Sequence, residues 1–224
     1  MYLMIAGLST MFAFGQRIET RSVSNFTGID ASGAFEISVT RGSSEALTIE
    51  ANDDLLPFVR SEVRNGVLHL SLERNTPRRI RNRTVKATVV MNNLENVSLS
   101  GACTVISNDL FTPENFTGNF SGSVNVKVNV NTRQLNVRAS GASKIELIGS
   151  ARNAVLNMSG SSNFNAENFT VGTATISSSG SSNVTITATE ALNVNSSGSS
   201  NVNYKGSPTI TISSSGSSRV RSIQ

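Results

Sequence analysis

Apolar residues stand at fixed positions around a repeated Ser-Gly pair along most of this chain. Four positions after the glycine the residue is always apolar: Ile37, Val105, Val126, Ile145, Phe164, Val184, Val202 and Val220. Four positions before it the residue is apolar in every copy except the one with Gly118: Ile29, Val97, Val137, Leu156, Ile176, Val194 and Ile212. Apolar and polar residues alternate around these points, and a period of two predicts β-strands.

The glycines of these pairs recur at a nearly constant interval. They are Gly33, Gly101, Gly122, Gly141, Gly160, Gly180, Gly198 and Gly216. From the second glycine onward they are 18 to 21 residues apart, and each is preceded by Ser and followed by Ala or Ser. Two strands in a unit of this length, stacked unit upon unit, form a β-solenoid. We therefore predict an all-β protein whose main part is a right-handed parallel β-helix, the hand being the usual one for parallel crossovers.

Glycine and its small neighbours suit a tight bend between stacked coils. Glycine adopts backbone conformations that bulkier residues resist, and Ala or Ser beside it lets the next coil approach. Serines in register can hydrogen-bond along the stack, and Asn163, Asn183 and Asn201, each three residues after its glycine, predict an asparagine ladder. Such a column could face a sugar or ice, but we favour a corner that satisfies its own hydrogen bonds.

Residues 43–94 interrupt the repeat between its first and second copies. The segments 46–53 and 84–91 have the composition of strands, and Asn65-Gly66 separates two alternating runs, which is typical of a type I′ hairpin. We therefore divide the chain into an N-terminal β portion with an antiparallel hairpin (16–94) and the β-helix repeats (95–224). The first portion is expected to cap the solenoid.

The two ends of the chain carry further predictions. Residues 1–15, MYLMIAGLSTMFAFG, are apolar and uncharged, and small residues stand at 13 and 15. They are too few to span a bilayer as a helix, so we interpret them as a secretory signal peptide, with a buried first strand as the alternative. No later segment has the character of an integral membrane segment.

The last coil, with only Arg219 and Arg221 to discourage strand pairing, is a candidate surface for a homo-oligomer.

Charge and cysteine content narrow the classes of function. The chain has 224 residues, a net charge of +4 and one local basic run. The run consists of Arg74, Arg78, Arg79, Arg81, Arg83 and Lys86. No aromatic residue stands within it, so we expect a solvated loop and strand face and no nucleic-acid partner. Cys103 is the only cysteine, which excludes a disulfide within the chain, and it is predicted to be a corner residue and not a nucleophile.

Polysaccharide-cleaving β-helices need paired carboxylates, or a base with a metal held by acidic groups. The charged residues between 151 and 218 are Arg152, Glu167, Glu190 and Lys205. They fall on different coils. Asp109 and Glu114 are predicted to lie in a turn, Asp53-Asp54 is predicted to be a turn and not a Ca²⁺ site, and His69 is expected on an exposed strand face. We therefore assign no catalytic, cofactor-binding or metal-ligating residue and expect no cofactor.

The repeated units resemble those of a known family. The units LSGAC, FSGSV, ASGAS, MSGSS and SSGSS, with VKATVVMNNLENVSLSGA (85–102) before them, are similar to the putative auto-transporter adhesin head GIN domain family. FTGIDASGAFEISVTRG (26–42) and NGVLHLSLE (65–73) fit its N-terminal part, so the resemblance covers residues from about 20 to 224. It implies a β-helical protein exported by a Gram-negative bacterium to the periplasm, the cell surface or the medium, without established catalytic residues.

These observations together favour a non-catalytic, adhesin-like or cell-envelope interaction module that presents a rigid polar β-helix surface. The expected partner is a glycan, a matrix component or an envelope protein, and the binding residues are unknown at this point. Two alternatives stay open: a polysaccharide-processing enzyme of the β-helix type and a purely structural envelope component. Ice binding is a more remote option.

Overall fold

The computed structural model describes residues 15–80 and 83–223. Nearly all of the predicted signal segment, residues 1–14, therefore lies outside the described part. The described chain contains one short 3-10 helix (Leu56–Phe58) and a succession of strands. The strands are β1 (Gln16–Arg21), β2 (Gly28–Gly33), β3 (Phe35–Arg41), β4 (Ala46–Asn52), β5 (Val59–Arg64), β6 (Val67–Leu72), β7 (Val85–Met91), β8 (Asn96–Gly101), β9 (Thr104–Phe111), β10 (Asn115–Gly122), β11 (Asn125–Ala139), β12 (Lys144–Met158), β13 (Asn163–Ser178), β14 (Asn183–Ser196), β15 (Asn201–Lys205), β16 (Thr209–Ser214) and β17 (Arg219–Ser222).

The strands form one continuous sheet wound into a β-solenoid of about 7 turns, which confirms the predicted fold class. On the side that precedes each Ser-Gly pair, the parallel order is β6, β2, β8, β10, β11, β12, β13, β14 and β16. On the side that follows it, the order is β7, β3, β9, β11, β12, β13, β14, β15 and β17. The right-handed sense of the winding stays a prediction.

The Ser-Gly bends lie directly over one another. From Gly101 onward, the residue after each glycine donates its backbone N–H to the carbonyl of the glycine one coil earlier, as Ala102 does to Gly33 at 2.7 Å and Ser181 does to Gly160 at 2.8 Å. This contact repeats through the column up to Ser217, which donates to Gly198 at 2.8 Å. A backbone hydrogen bond between consecutive bends fixes the coils in register.

The N-terminal strands extend the solenoid and then close its end. β2 and β3 form a coil beneath β8 and β9, and β6 and β7 pair in parallel beneath that coil, although the predicted division at 94/95 assigned these four strands to the N-terminal portion. Beyond this coil, β4 runs antiparallel to both β7 and β1, and β5 runs antiparallel to β6. The hairpin turn at Asn65-Gly66 has positive φ at both residues, as a type I′ turn requires. The division into domains stays a prediction, since the sheet is continuous across it.

The core runs inside the coils and is built from the predicted apolar columns. The residues four positions before and four positions after each glycine are almost all fully buried. Gly118, the exception in the sequence pattern, has a physical explanation. A Cβ at Gly118 would lie 2.7 Å from the ring of Phe120, so that ring occupies the space that an apolar side chain fills in other coils.

Buried serines sit inside the later corners, two residues after each glycine. The Oγ of Ser143, Ser162 and Ser182 donates to the carbonyl three residues earlier, at 2.9, 2.7 and 2.8 Å. These hydroxyls are therefore satisfied within their own turn. Hydrogen bonding along the stack, which the sequence also predicted, occurs where the Oγ of Ser159 donates to the Ala139 carbonyl of the preceding coil at 3.2 Å.

We predict that Gly180→Ala destabilises the protein more than Gly66→Ala. Both glycines have φ of +74°, so both substitutions incur similar backbone strain, about 1–2 kcal/mol. The methyl group at Gly66 meets open space, whereas the one at Gly180 would lie 2.7 Å from the Gly160 carbonyl oxygen. Overpacking should add about 1–3 kcal/mol at Gly180. Chemical denaturation of the two variants measures the difference, and equal losses of stability would contradict the close stacking of bends.

A second pair of variants separates satisfied from unsatisfied hydroxyls. Ser182→Ala removes a buried donor that bonds the Ser179 carbonyl and should cost about 1 kcal/mol of unfolding free energy. The Ser178 Oγ is equally buried but has no hydrogen-bond partner among the described residues. Ser178→Ala should therefore be neutral or stabilising in the same denaturation experiment. A larger loss for Ser178→Ala than for Ser182→Ala would show that the assignment of these hydrogen bonds is wrong.

Candidate functional site: an axial groove

A long groove runs parallel to the solenoid axis beside the column of bends. We call it the axial groove, and it has a volume of about 810 Å³. It spans the coils from β2 to β16. Its first wall consists of the residues three positions before each glycine: Asp30, Ser98, Asn119, Arg138, Asn157, Ser177, Asn195 and Ser213. Its second wall consists of the serines directly before each glycine: Ser100, Ser121, Ser140, Ser159, Ser179, Ser197 and Ser215.

Strand alternation explains why these two columns form walls. Successive side chains of a strand point to opposite faces, so residues one and three positions before the glycine share the outer face. The residue between them is buried in most coils, as Leu99, Ala139 and Met158 are. The floor of the axial groove is therefore formed by these buried residues and their backbone, and its walls are hydroxyl and amide side chains with two charged ones.

The backbone at the floor is already hydrogen-bonded along the axis. The N–H of Ser159 donates to the Ala139 carbonyl at 2.9 Å, and the N–H of Ser179 donates to the Met158 carbonyl at 2.9 Å. The same contact joins Ser197 to Ser178 at 3.0 Å. Because these groups bond the neighbouring coils, a ligand in the groove meets the wall side chains and not a free strand edge.

Among the described residues that line the axial groove, two are charged. Asp30 lies in its first coil, where its Oδ2 is 3.8 Å from Nδ1 of His69, which is partly exposed on the paired strand β6 as the sequence predicted. Arg138 lies near the middle of the groove and is exposed. Its guanidinium makes no hydrogen bond or ion pair with any residue that the structure describes. The sequence pattern did not single out Arg138.

The outer face on the other side of the bends carries a second polar column. Asn163, Asn183 and Asn201 are in register, and Nδ2 of Asn201 donates to Oδ1 of Asn183 at 3.1 Å, so the predicted ladder forms at this step. On the same face Glu167 and Lys205 pair at 2.8 Å across two coils. Some polar groups thus bond one another on both faces, since in the groove Nδ2 of Asn119 donates to Oγ of Ser98 at 3.5 Å.

Cys103 is a corner residue, as predicted. It occupies the position of the buried serines in later coils, and its Sγ lies 3.3 Å from the Ser100 carbonyl oxygen. It is 1% exposed, and burial raises the pKa of its thiol above the ordinary value. A thiol that is both buried and protonated is a poor nucleophile.

The acidic residues considered in the sequence are separately engaged. Asp109 lies within β9 and not in a turn, since that strand continues to Phe111, and its Oδ2 accepts the Arg41 backbone N–H at 2.8 Å. Glu114 follows β9 in the connection to β10 and pairs with Arg133 at 3.1 Å. Asp53 and Asp54 form an exposed turn after β4, as predicted.

The basic run forms the loop between β6 and β7 and the start of β7. The guanidinium of Arg83 donates to the carbonyls of Pro77 and Ile80 at 2.9 and 3.2 Å, and Lys86 pairs with Glu50 at 3.2 Å. Arg81 lies outside the described residues. Within 15–80 and 83–223, no group of three His, Cys, Asp or Glu side chains is placed to hold a metal ion. In the same part of the chain, no helix is long and apolar enough to cross a bilayer.

The structure thus defines a β-solenoid with a capped end and a polar groove along its axis. The chain belongs to the family described as putative auto-transporter adhesin, head GIN domain, whose sequence pattern matches residues 25–208. No curated protein sequence matches it significantly.

Solved structures share this fold over nearly their whole length. A putative adhesin from Bacteroides fragilis is 27% identical, with a TM-score of 0.87 over 93% of this chain and 97% of the other. A putative adhesin from Parabacteroides merdae is 17% identical, with a TM-score of 0.68 over 93% and 96%. A putative lipid binding protein from Parabacteroides distasonis is 19% identical, with a TM-score of 0.68 over 93% and 97%. The latter two similarities show the fold alone.

We predict that Cys103 resists alkylation by iodoacetamide in the folded protein and reacts quickly once the chain is unfolded in urea. Burial restricts access to the thiol and raises its pKa, so less of the reactive thiolate is present at a given pH than for an exposed cysteine. Mass spectrometry of timed samples measures the reaction. Cys103→Ser should retain the melting temperature, because serine fills this position in later coils. Rapid modification of the folded protein would contradict the buried placement.

Proposed function

We propose that this protein is a non-catalytic, adhesin-like interaction module of the cell envelope, and that it contacts its partner through the axial groove. The observation that supports this proposal is the groove itself, a concave surface of about 810 Å³ walled by short hydroxyl and amide side chains. Membership of a family described as putative adhesins agrees with a binding role. Exposed polar side chains at regular spacing on a rigid scaffold suit recognition of an extended partner.

An exported location forms part of the proposal. The apolar segment 1–15 supports a secretory signal, and the family description supports a place at the surface or in the periplasm of a Gram-negative bacterium. A fold whose consecutive coils are joined by backbone hydrogen bonds needs no disulfide to remain rigid outside the cytoplasm. We also propose a homo-oligomer formed through the last coil, but only the position of that coil at the end of the stack supports it.

A polysaccharide-processing enzyme is the weaker alternative. Such an enzyme needs two carboxyl groups facing one glycosidic bond, or a base with a metal. Asp30 is the only carboxylate that lines the described groove, and it lies beside His69. Asp109, Glu114 and Glu167 bond other partners away from the groove. The arrangement of charges therefore supports binding without cleavage.

The experiment introduces negative charge on either of two faces of the same coils. Ser121→Glu with Ser159→Glu places two carboxylates in the groove wall, whereas Asn125→Glu with Asn163→Glu places two carboxylates on the opposite side of the same bends. We expect the groove variant to lose retention on glycan or matrix arrays and crosslinking to its partner in the native cell. The control variant should keep both.

Melting curves first establish that both variants are folded. Loss of retention only in the control variant would move the contact to the asparagine face and overturn the role of the groove. Crosslinking of a fixed envelope protein that neither variant disturbs, without retention on any array, would favour a purely structural component over an adhesin-like module. Release of shortened glycan during incubation would establish the enzyme alternative.

A further inference from the structure

We infer that the axial groove binds an extended acidic glycan, lying parallel to the solenoid axis, with a carboxylate of one sugar held by Arg138. This inference rests on the proposed function and names the chemical class of the partner. It derives from three features of the groove. Its walls repeat from coil to coil, the backbone groups at its floor are already hydrogen-bonded, and the one described cation in its lining, Arg138, has no partner among the described residues.

The walls repeat with the height of one coil. Residues in register on consecutive coils, such as Asn119, Arg138 and Asn157, are separated by the spacing of paired strands, about 4.8 Å. Each coil therefore presents a serine hydroxyl on one wall and a hydroxyl, amide or charged group on the other. A polymer matches this surface when its own repeat carries hydroxyl groups and is about as long as one coil is high. A linear chain of pyranose sugars has both properties.

Other extended partners fit the groove less well. A peptide that adds a strand needs a free edge, but the backbone at the floor already bonds neighbouring coils. A nucleic acid needs many cations and aromatic rings for its bases. Among the described residues that line the groove there is one cation, Arg138, and one aromatic residue, Phe120, which is buried. An acyl chain needs a continuous apolar surface that shields it from water. Leu99, Ala139 and Met158 line the groove, but their side chains are buried beneath two outer columns of hydroxyl, amide and charged groups.

Arg138 gives the groove its selectivity for an acid. Arg138 lies in register between Asn119 and Asn157 on the neighbouring coils, and its guanidinium has no partner in the described part of the chain. Asp30 is three coils away, or about 14 Å at the spacing of paired strands, which exceeds the Debye length of about 8 Å at physiological salt. A carboxylate fits the fork of the guanidinium with two parallel hydrogen bonds, and the flanking amides can donate to the adjacent ring oxygens.

The test uses pairs of glycans that differ only in charge. Uronate oligomers from polygalacturonate, alginate and hyaluronan are compared with the same oligomers after their carboxylates have been reduced to primary alcohols. We expect at least one acidic oligomer to bind the wild-type protein and its reduced form to bind about tenfold more weakly or worse. Binding of the acidic form should weaken as ionic strength rises. Isothermal titration calorimetry measures each affinity.

Arg138→Gln should lower the affinity for the acidic oligomer about tenfold or more and leave that for the reduced oligomer nearly unchanged. Arg138→Lys should fall between wild type and Arg138→Gln, since it keeps the charge but loses the two-pronged geometry. Arg152→Gln is the matched control: Arg152 is exposed on β12, lies outside the groove, and should not affect binding. If both variants lose the same affinity for the acidic oligomer, the effect depends on net charge alone, and the proposed site at Arg138 is wrong.

The outcomes distinguish this inference from the proposed function. Equal affinity for the acidic and reduced oligomers, lost in the double Ser121 and Ser159 variant, would overturn selectivity for an acid while supporting binding in the groove. If no oligomer binds but a protein is captured through the groove, the glycan inference is wrong and the proposed interaction module is supported. Absence of any contact through the groove would overturn both.

Discussion

The close approach of consecutive Ser-Gly bends is the constraint on which the rest of the structure depends. At Gly180 the preceding bend is so near that an added Cβ would lie 2.7 Å from a carbonyl oxygen, closer than side-chain atoms normally come to backbone. Only glycine fits, and its neighbours must be small. This contact, with the backbone hydrogen bond beside it, sets the register of each coil on the one before. The apolar columns inside and the polar columns outside follow from that register.

The same constraint produces the candidate site. Because each bend is in register, the side chains one and three positions before the glycine form two straight outer columns, with backbone between them. A groove along the axis is the direct result, and its chemistry is set by which residues occupy those columns. Serine in one column and serine or asparagine in most of the other make a surface rich in hydroxyl and amide groups. These groups repeat along the axis with the spacing of paired strands.

The N-terminal strands show how the end of such a stack is protected. A solenoid exposes unpaired backbone at its last coil, which invites further strand pairing. Here β5 covers β6, and β4 with β1 covers β7, all by antiparallel pairing. The chain thereby changes from parallel coils to antiparallel strands within one sheet, without a break in hydrogen bonding. The cap and the groove are thus parts of one continuous sheet.

The sequence by itself determined the fold, because the spacing of the Ser-Gly pairs and the alternation around them leave few alternatives to stacked coils. It also determined the hairpin at Asn65-Gly66 and the corner position of Cys103, since both depend on local backbone geometry or position in the repeat. It did not show that β9 continues through Asp109, or that the ring of Phe120 fills the space at Gly118. The groove and the isolated position of Arg138 were likewise decided only by the tertiary structure. Repeat numbering places residues in columns, but concavity and the absence of a partner depend on distances between coils that are remote in sequence.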